Sequence, residues 1–328
     1  MYPLIDTTRI WLVAKNGNDA NSGHPSTYPV VTANDAKLTI QQAIANCVIG
    51  DTVIIYPGDY DENVTCAIKS NPKVINIFGT HKEICRITPS SGVPLTILDG
   101  CNVKNLSCVG ATGSYTTGLV LGSGYNAKTG IMLENVYAYG EQDGLLISTC
   151  FAAYLQNCYF ESLYDAASIR SMLNIFANKC TFKTNGKSST SSHCLYASGR
   201  GAYSECNFIA MTSVANSYEI GAVQLANITT YPDRSVFDRC IFQVEAPIGR
   251  TGRVFGLETT HADNTAILNN CILRTNGANA SALKDLINTN GKILVSNCDY
   301  DLTKITGTIT QLGSAAITMN VIPSTIIM

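Results

Sequence analysis

The sequence predicts an all-β solenoid in which parallel strands stack coil upon coil. Three observations carry this. A short unit recurs, in which a cysteine is followed two residues later by a large apolar group: Cys158/Phe160, Cys180/Phe182, Cys206/Phe208, Cys240/Phe242, Cys271/Leu273 and Cys298/Tyr300. The gaps between successive cysteines are 22, 26, 34, 31 and 27 residues, a spacing typical of repeat architectures. The two members of each unit lie two apart, so in a strand both point to one side. A constant strand joined by loops of unequal length follows. Length alone, 328 residues, would suggest two domains; the repeat replaces that with one elongated unit whose coils touch only their neighbours.

The elements follow in order. Residues 11–19 read as a strand running into a Gly/Asn turn, and 22–29 as a loop. Residues 34–50 predict a helix with Asn34 as N-cap and Gly50 as stop. Its apolar stripe is Ile40, Ala43, Ile44, Cys47 and Val48. Such a helix is expected to cover the otherwise open first coil. Strands follow at 51–58 and 74–80, and the inward pair continues at Leu106/Cys108 and Val136/Ala138. An Asn stands just before or near the inward residue at Asn105, Asn135, Asn157, Asn270 and Asn297, which predicts a hydrogen-bonded ladder, with a simple turn marker as the alternative. The organisation expected is an N-terminal strand, loop and capping helix over 1–50, about ten coils over 51–301, and a C-terminal β cap or oligomerisation segment over 302–328. Ten rungs at about 4.8 Å give an axis of about 50 Å. The apolar finish, 321–328, calls for cover by the last coil or by another subunit.

Composition narrows the function. Charged residues make up 14% and the net charge is −2, against about 25% charged in ordinary domains. With no basic stripe, nucleic acid is not an expected partner. No run of 18 to 20 apolar residues is present to cross a membrane, and the first residues lack the pattern of a signal peptide. The expectation is a chain made in the cytosol without a signal peptide and working on a virion surface or outside the cell. The 13 cysteines contain no CxxC pair, so no zinc site is expected. They read as small buried hydrophobes in an inward stack. A disulfide between stacked rungs is within reach but awkward for parallel Cβ vectors.

Spacing also suggests chemistry. Asp143 and Asp165 are 22 apart, like Val136 and Cys158, so both fall seven residues past an inward marker and should sit on adjacent rungs. Two carboxyls that close cannot both ionise freely, which suits an acid/base pair. With a longer turn in later coils, the equivalent position is 13 past the cysteine. The expected column then reads Asp143, Asp165, His193, Glu219, Arg253, Lys284. The bland reading is a polar residue starting each strand. Tyr137, Tyr139, Tyr154 and Tyr164 are candidate sugar-stacking platforms, and buried strand aromatics are the alternative. Asp59, Asp61 and Glu62 could supply oxygen ligands to Ca²⁺, or form a solvated turn; no other cofactor or metal is expected.

The stretches "WLVAKNGNDANSG", "TIQQAIANC" and "GDTVIIYPGDYDENV" resemble the opening coil of right-handed parallel β-helix proteins of the pectate-lyase-like superfamily. That group contains polysaccharide lyases, polygalacturonases, pectin methylesterases, and phage tailspikes and related virion proteins. The resemblance implies a single-stranded right-handed parallel β-helix with an N-terminal capping helix. Locally the chain is similar to pectin methylesterases: their Gly-x-Tyr-x-Glu motif is matched by Gly58, Tyr60 and Glu62, their Gln-Asp pair by Gln142 and Asp143, and their second Asp by Asp165. This implies Asp143 as general acid/base, Asp165 as nucleophile and Gln142 as oxyanion donor. The chain departs from the pattern at Gly144, in the "DAASI" segment, and in lacking Leu-Gly-Arg-Pro-Trp, for which Arg234 or Arg250 would have to substitute. The leading expectation is therefore a non-enzymatic virion-surface subunit (decoration, spike or fibre), partnered by its own copies as a trimer or by other virion proteins. It could also bind glycan, with His193, Glu219, Arg253 and Tyr164 as contacts. The rival is a carbohydrate-active enzyme resembling pectin methylesterase.

Overall fold

Residues 131–147 show the plan of one coil. Ile131–Gly140 is two strand segments hinged at Asn135, and Asp143–Ile147 is a third. Each segment pairs in parallel with the coil above: Ile131 with Ala153, Tyr137 with Tyr159, Asp143 with Asp165. Repetition builds three parallel faces around one continuous core. The computed structural model describes residues 7–25, 35–67, 74–98, 100–113, 115–122, 130–148, 150–186, 191–212, 219–226, 234–246, 251–257, 262–276, 283–288, 291–301 and 304–312. No helix among them is long and apolar enough to cross a membrane.

From Asn105 onward the hinge between first and second faces has one cause. Asn105, Asn135, Asn157, Lys179, Glu205, Arg239, Asn270 and Asn297 all have φ between 50° and 54°. This left-handed conformation costs an ordinary L-residue roughly 1–2 kcal/mol, and Asn tolerates it best. The recurring Asn is therefore a corner residue first and a ladder residue second. One ladder bond does form, Asn135 Nδ2 to Asn105 Oδ1 at 2.7 Å, but Lys, Glu and Arg fill the same corner in three coils. Polar ladders run instead on the first face, for example Asn102 to Asn76 (2.9 Å) and Asn76 to Thr52 (3.2 Å). Lys179 offers a test. Its one charged partner among the described residues, Glu205, lies 3.8 Å away at an exposed position, where an ion pair is worth little. Lys179→Asn should raise stability by about 0.5–1 kcal/mol, read from the urea midpoint; an unchanged or lower midpoint would contradict the corner argument.

The same corner explains the cysteines. Five of the six thiols, Cys180 excepted, have their S–H within reach of two carbonyls, the one two residues before and one of the preceding coil: Cys158 to Gln156 (3.3 Å) and Leu133 (3.4 Å), Cys271 to Asn269 (3.3 Å) and Phe237 (3.4 Å). These carbonyls also take backbone donors, as Asn269 O does from Arg239 N at 2.9 Å, so the thiol adds a weak second contact to each while filling a small apolar space. Cys suits the position as a small hydrophobe whose S–H tolerates the nearby carbonyls. Burial pushes the thiols of Cys158 and Cys240 well up, so they stay protonated and able to donate. All 13 cysteines are free, so the rungs are not cross-linked. Two residues on, the rings stack: Phe160 on Phe182 at 5.4 Å, Phe182 on Phe208 and Phe208 on Phe242 at 5.0 Å.

At the start of the chain the helix is shorter than its periodicity suggests, Ile40–Asn46. Thr39 is the N-cap, its Oγ1 accepting from Gln42 N, and the Glu62 carboxylate accepts from Ile40 N (2.8 Å) and Gln41 N (2.9 Å). The predicted N-cap, Asn34, lies outside the described residues. Ile40, Ala43 and Ile44 are buried, but Val48 is exposed beyond the helix end. The helix packs on strands Ile10–Val13, Thr52–Ile55 and Val64–Cys66. At the other end Ile309–Gln311 adds to Lys292–Ser296. The apolar finish at 321–328 lies outside the described residues.

Candidate functional site

The third face presents an ionisable row because its strands bend. Ala166 and Ala167, Cys194 and Leu195, Ala222 and Val223, and Val254 and Phe255 are consecutive residues that all lie in the core. Alternation forbids two neighbours on one side of a straight strand, so each strand turns there. The residue before the bend then faces outward. Those residues are Asp143, Asp165, His193, Gly221 and Arg253, with Lys284 next in register.

The predicted column is thus assembled at every position but one. Gly221, not Glu219, stands on the rung between His193 and Arg253. The loop ahead of that strand runs 15 residues from Cys206 to the row, where its neighbours run 13. Glu219 still reaches the row, because its carboxylate pairs with the Arg253 guanidinium. The glycine is required by space: a Cβ at Gly221 would lie 2.9 Å from His193 Cδ2. Gly256, on the next outward row, likewise makes room for the Arg253 side chain. The guanidinium of the row is Arg253; Arg234 lies on the first face, pairing with Thr265, and Arg250 is outside the described residues.

The two carboxyls differ in environment. Asp143 is 2% exposed. Burial, then the charge of Asp165, push its pKa up to about 7, against the opposing pull of Arg170 and of Thr117 Oγ1 at 3.4 Å. Asp165 is reached by solvent, and its Oδ1 accepts from His193 N at 2.9 Å and lies 3.3 Å from His193 Nδ1. His193 Nε2 is buried with no hydrogen-bond partner among the described residues. Arg170 Nε donates to buried Ser168 Oγ at 3.5 Å, and Tyr196 lies 5.9 Å from the His193 ring.

The remaining candidates separate. Gln142 is exposed beside Asp143, and its carbonyl accepts from Asp165 N at 3.0 Å. Tyr164 is buried under Tyr115, with ring centroids 5.5 Å apart. Tyr154 stacks on Phe176 at 5.1 Å and Tyr137 lies 5.7 Å from Tyr159, so these rings spend their faces on each other. Asp59 holds Arg86 through two contacts at 2.5 and 2.7 Å, Asp61 accepts from Ser90 N at 2.7 Å, and Glu62 receives the helix start. These three carboxylates therefore face different donors. Among the described residues no group of three or more His, Cys, Asp or Glu converges as a metal site. Tyr60, of the Gly-x-Tyr-x-Glu segment, is buried with its hydroxyl donating to Tyr56 O at 2.8 Å. That segment builds the opening coil.

No protein-family model matches the chain. No curated protein matches it either. Solved structures do. A pectin methylesterase from carrot aligns over 86% of this chain and 87% of its own at 12% identity, with a TM-score of 0.51. Pectate lyase Pel9A aligns over 89% and 78% at 12% identity and 0.54. The enzymatically active domain of tailspike protein 2 from bacteriophage CBA120 aligns over 83% of this chain and 43% of that one, at 15% identity and 0.51. The chain is a right-handed parallel β-helix. On this β-helix the ionisable row crosses successive coils of one face, with Asp143, His193 and Arg253 buried and the Asp165 and Glu219 carboxylates partly open to solvent.

Proposed function

We propose that this β-helix hydrolyses an ester carried by a polysaccharide, with Asp165 as nucleophile and Asp143 as acid and then base. The observation that carries the reading is the pairing of a buried, proton-retaining carboxyl with a solvent-reachable one on the adjacent rung. Environments that push two such groups apart assign their roles. An Asp165 oxygen attacks the ester carbonyl, and the carbon–oxygen bond to the alcohol breaks as the alcohol takes the Asp143 proton. Water then attacks the acyl-Asp165 anhydride and gives its proton to Asp143, which restores both groups. His193 holds Asp165 in place through two nitrogens. Arg170, close enough to oppose the rise in Asp143, is the cation available to the developing oxyanion, with Gln142 exposed alongside. The likeness to pectin methylesterases supports the ester as the bond attacked.

The test is release of methanol or acetate from a panel of methyl-esterified and acetylated polysaccharides. Asp165→Asn should lower the rate by about three orders of magnitude or more. No release by the unaltered protein across the panel, or undiminished release by Asp165→Asn, would overturn the reading. New reducing ends without released alcohol or acid would instead mark glycosidic cleavage.

The likeness to tailspike chains favours a setting for this chemistry at a virion surface, as a spike or decoration subunit joined to its own copies, as a trimer, or to other virion proteins. Mass measurement under native conditions checks the assembly: a trimer supports it, and a monomer at micromolar concentration counts against it.

A further inference from the structure

We propose that Tyr115, seated on Tyr164, is a sugar-stacking subsite beside the carboxylate pair. This deepens the reading of the row as a polysaccharide site and rests on it. Tyr115 is 65% exposed, the largest value among the exposed large apolar side chains described. Its φ is 44°. Among the described residues the other non-glycine residues with positive φ are the eight corners, which the coil geometry demands. Tyr115 belongs to no corner. Tyr115 covers Tyr164 with one face of its ring and leaves most of its surface in water, and a bulky residue held in the left-handed region is a strain of the kind that gathers at functional sites.

Its position gives the strain a use. Tyr115 lies two residues before Thr117, which donates to Asp143, and Tyr164 immediately precedes Asp165. The two rings lie 5.5 Å apart at 26°. The stack therefore reaches from the Thr117 rung to the Asp165 rung, along the edge of the carboxylate pair. Gly113 N donates to Glu141 Oε1 at 2.6 Å, tying the approach to Tyr115 to the coil that carries Asp143. Buried Tyr164 is the floor and exposed Tyr115 the working surface. The ligand class is a hexopyranose unit of the polysaccharide, whose C–H face matches an aromatic face in size and polarity.

The experiment separates this inference from the reading beneath it. Binding of highly methyl-esterified pectin and of acetylated polysaccharides is measured by affinity electrophoresis in Asp165→Asn, where no turnover intervenes. Adding Tyr115→Ala should weaken binding about ten-fold or more, and adding Tyr115→Phe should leave it within two-fold, about 0.4 kcal/mol. Equal binding with Tyr115→Ala overturns the subsite and leaves the carboxylate chemistry standing. No binding of any glycan, together with no release by the unaltered protein, overturns both.

Discussion

Phe208→Ala is expected to lower stability by about 3–5 kcal/mol. Phe208 is fully buried. Phe182 covers one face and Phe242 the other, both at 5.0 Å and within 7° of parallel, while Tyr203 and Phe237 meet its edge at 5.9 Å. The flanking rings cannot close the gap, because backbone ladders hold their strands about 4.8 Å apart. The cavity therefore persists, and its cost adds to the lost transfer energy. Phe208→Leu keeps part of the volume and should cost about half as much. Urea midpoints of the two variants check the order. A loss below about 1 kcal/mol for alanine would show that the ring stack does not hold the core together.

Asp143→Asn should have its main effect on stability through pH, and in the stabilising direction. Asp143 titrates near 7 in the fold and near 4 when unfolded. Below pH 4 both states keep the proton and the group contributes nothing. As pH rises from 4 to 7 the unfolded chain loses its proton while the folded chain retains it, so folding is progressively penalised. Above 7 the penalty levels off, on the order of 4 kcal/mol for a shift of about three pH units. Asparagine removes it. The variant should match the unaltered protein at pH 4 and exceed it by about 2–4 kcal/mol at pH 8, measured by denaturant titration at both values. An equal offset at the two pH values would mean that Asp143 is not held protonated. The same variant should lose ester hydrolysis, a trade between stability and function common at catalytic groups.

Much of this was legible in the sequence, for a physical reason. Inward positions are fixed by the ladder, so Cys158 through Cys298 and their partners two residues on repeat without drift. The 22-residue step from Asp143 to Asp165 could be read because two adjacent coils have equal length. Glu219 was misplaced because loop length is not periodic, and two extra residues moved Gly221 onto the rung. The recurring Asn resembled a ladder because only backbone geometry shows the left-handed corner that Lys179, Glu205 and Arg239 share. The bend before Ala167 and Leu195, which turns the row outward, has no signature beyond two small or apolar residues in succession. Tyr115 carried no pattern, since one exposed ring in a loop repeats nothing.

The three turns of each coil are unequal in tolerance. From Asn105 onward the corner is a single residue of fixed geometry, and those coils do not vary in length there. All variation in coil size, from 22 to 34 residues, is displaced to the other two turns. A foreign peptide spliced into those turns would be carried on the outside of the rod without disturbing its axis; the coil at 75–87 shows that even the corner can be opened, since residues 80–84 are carried there with the strands on either side still in register. The molecule is in that sense a ready-made display scaffold, with two sides open to grafting along its whole length.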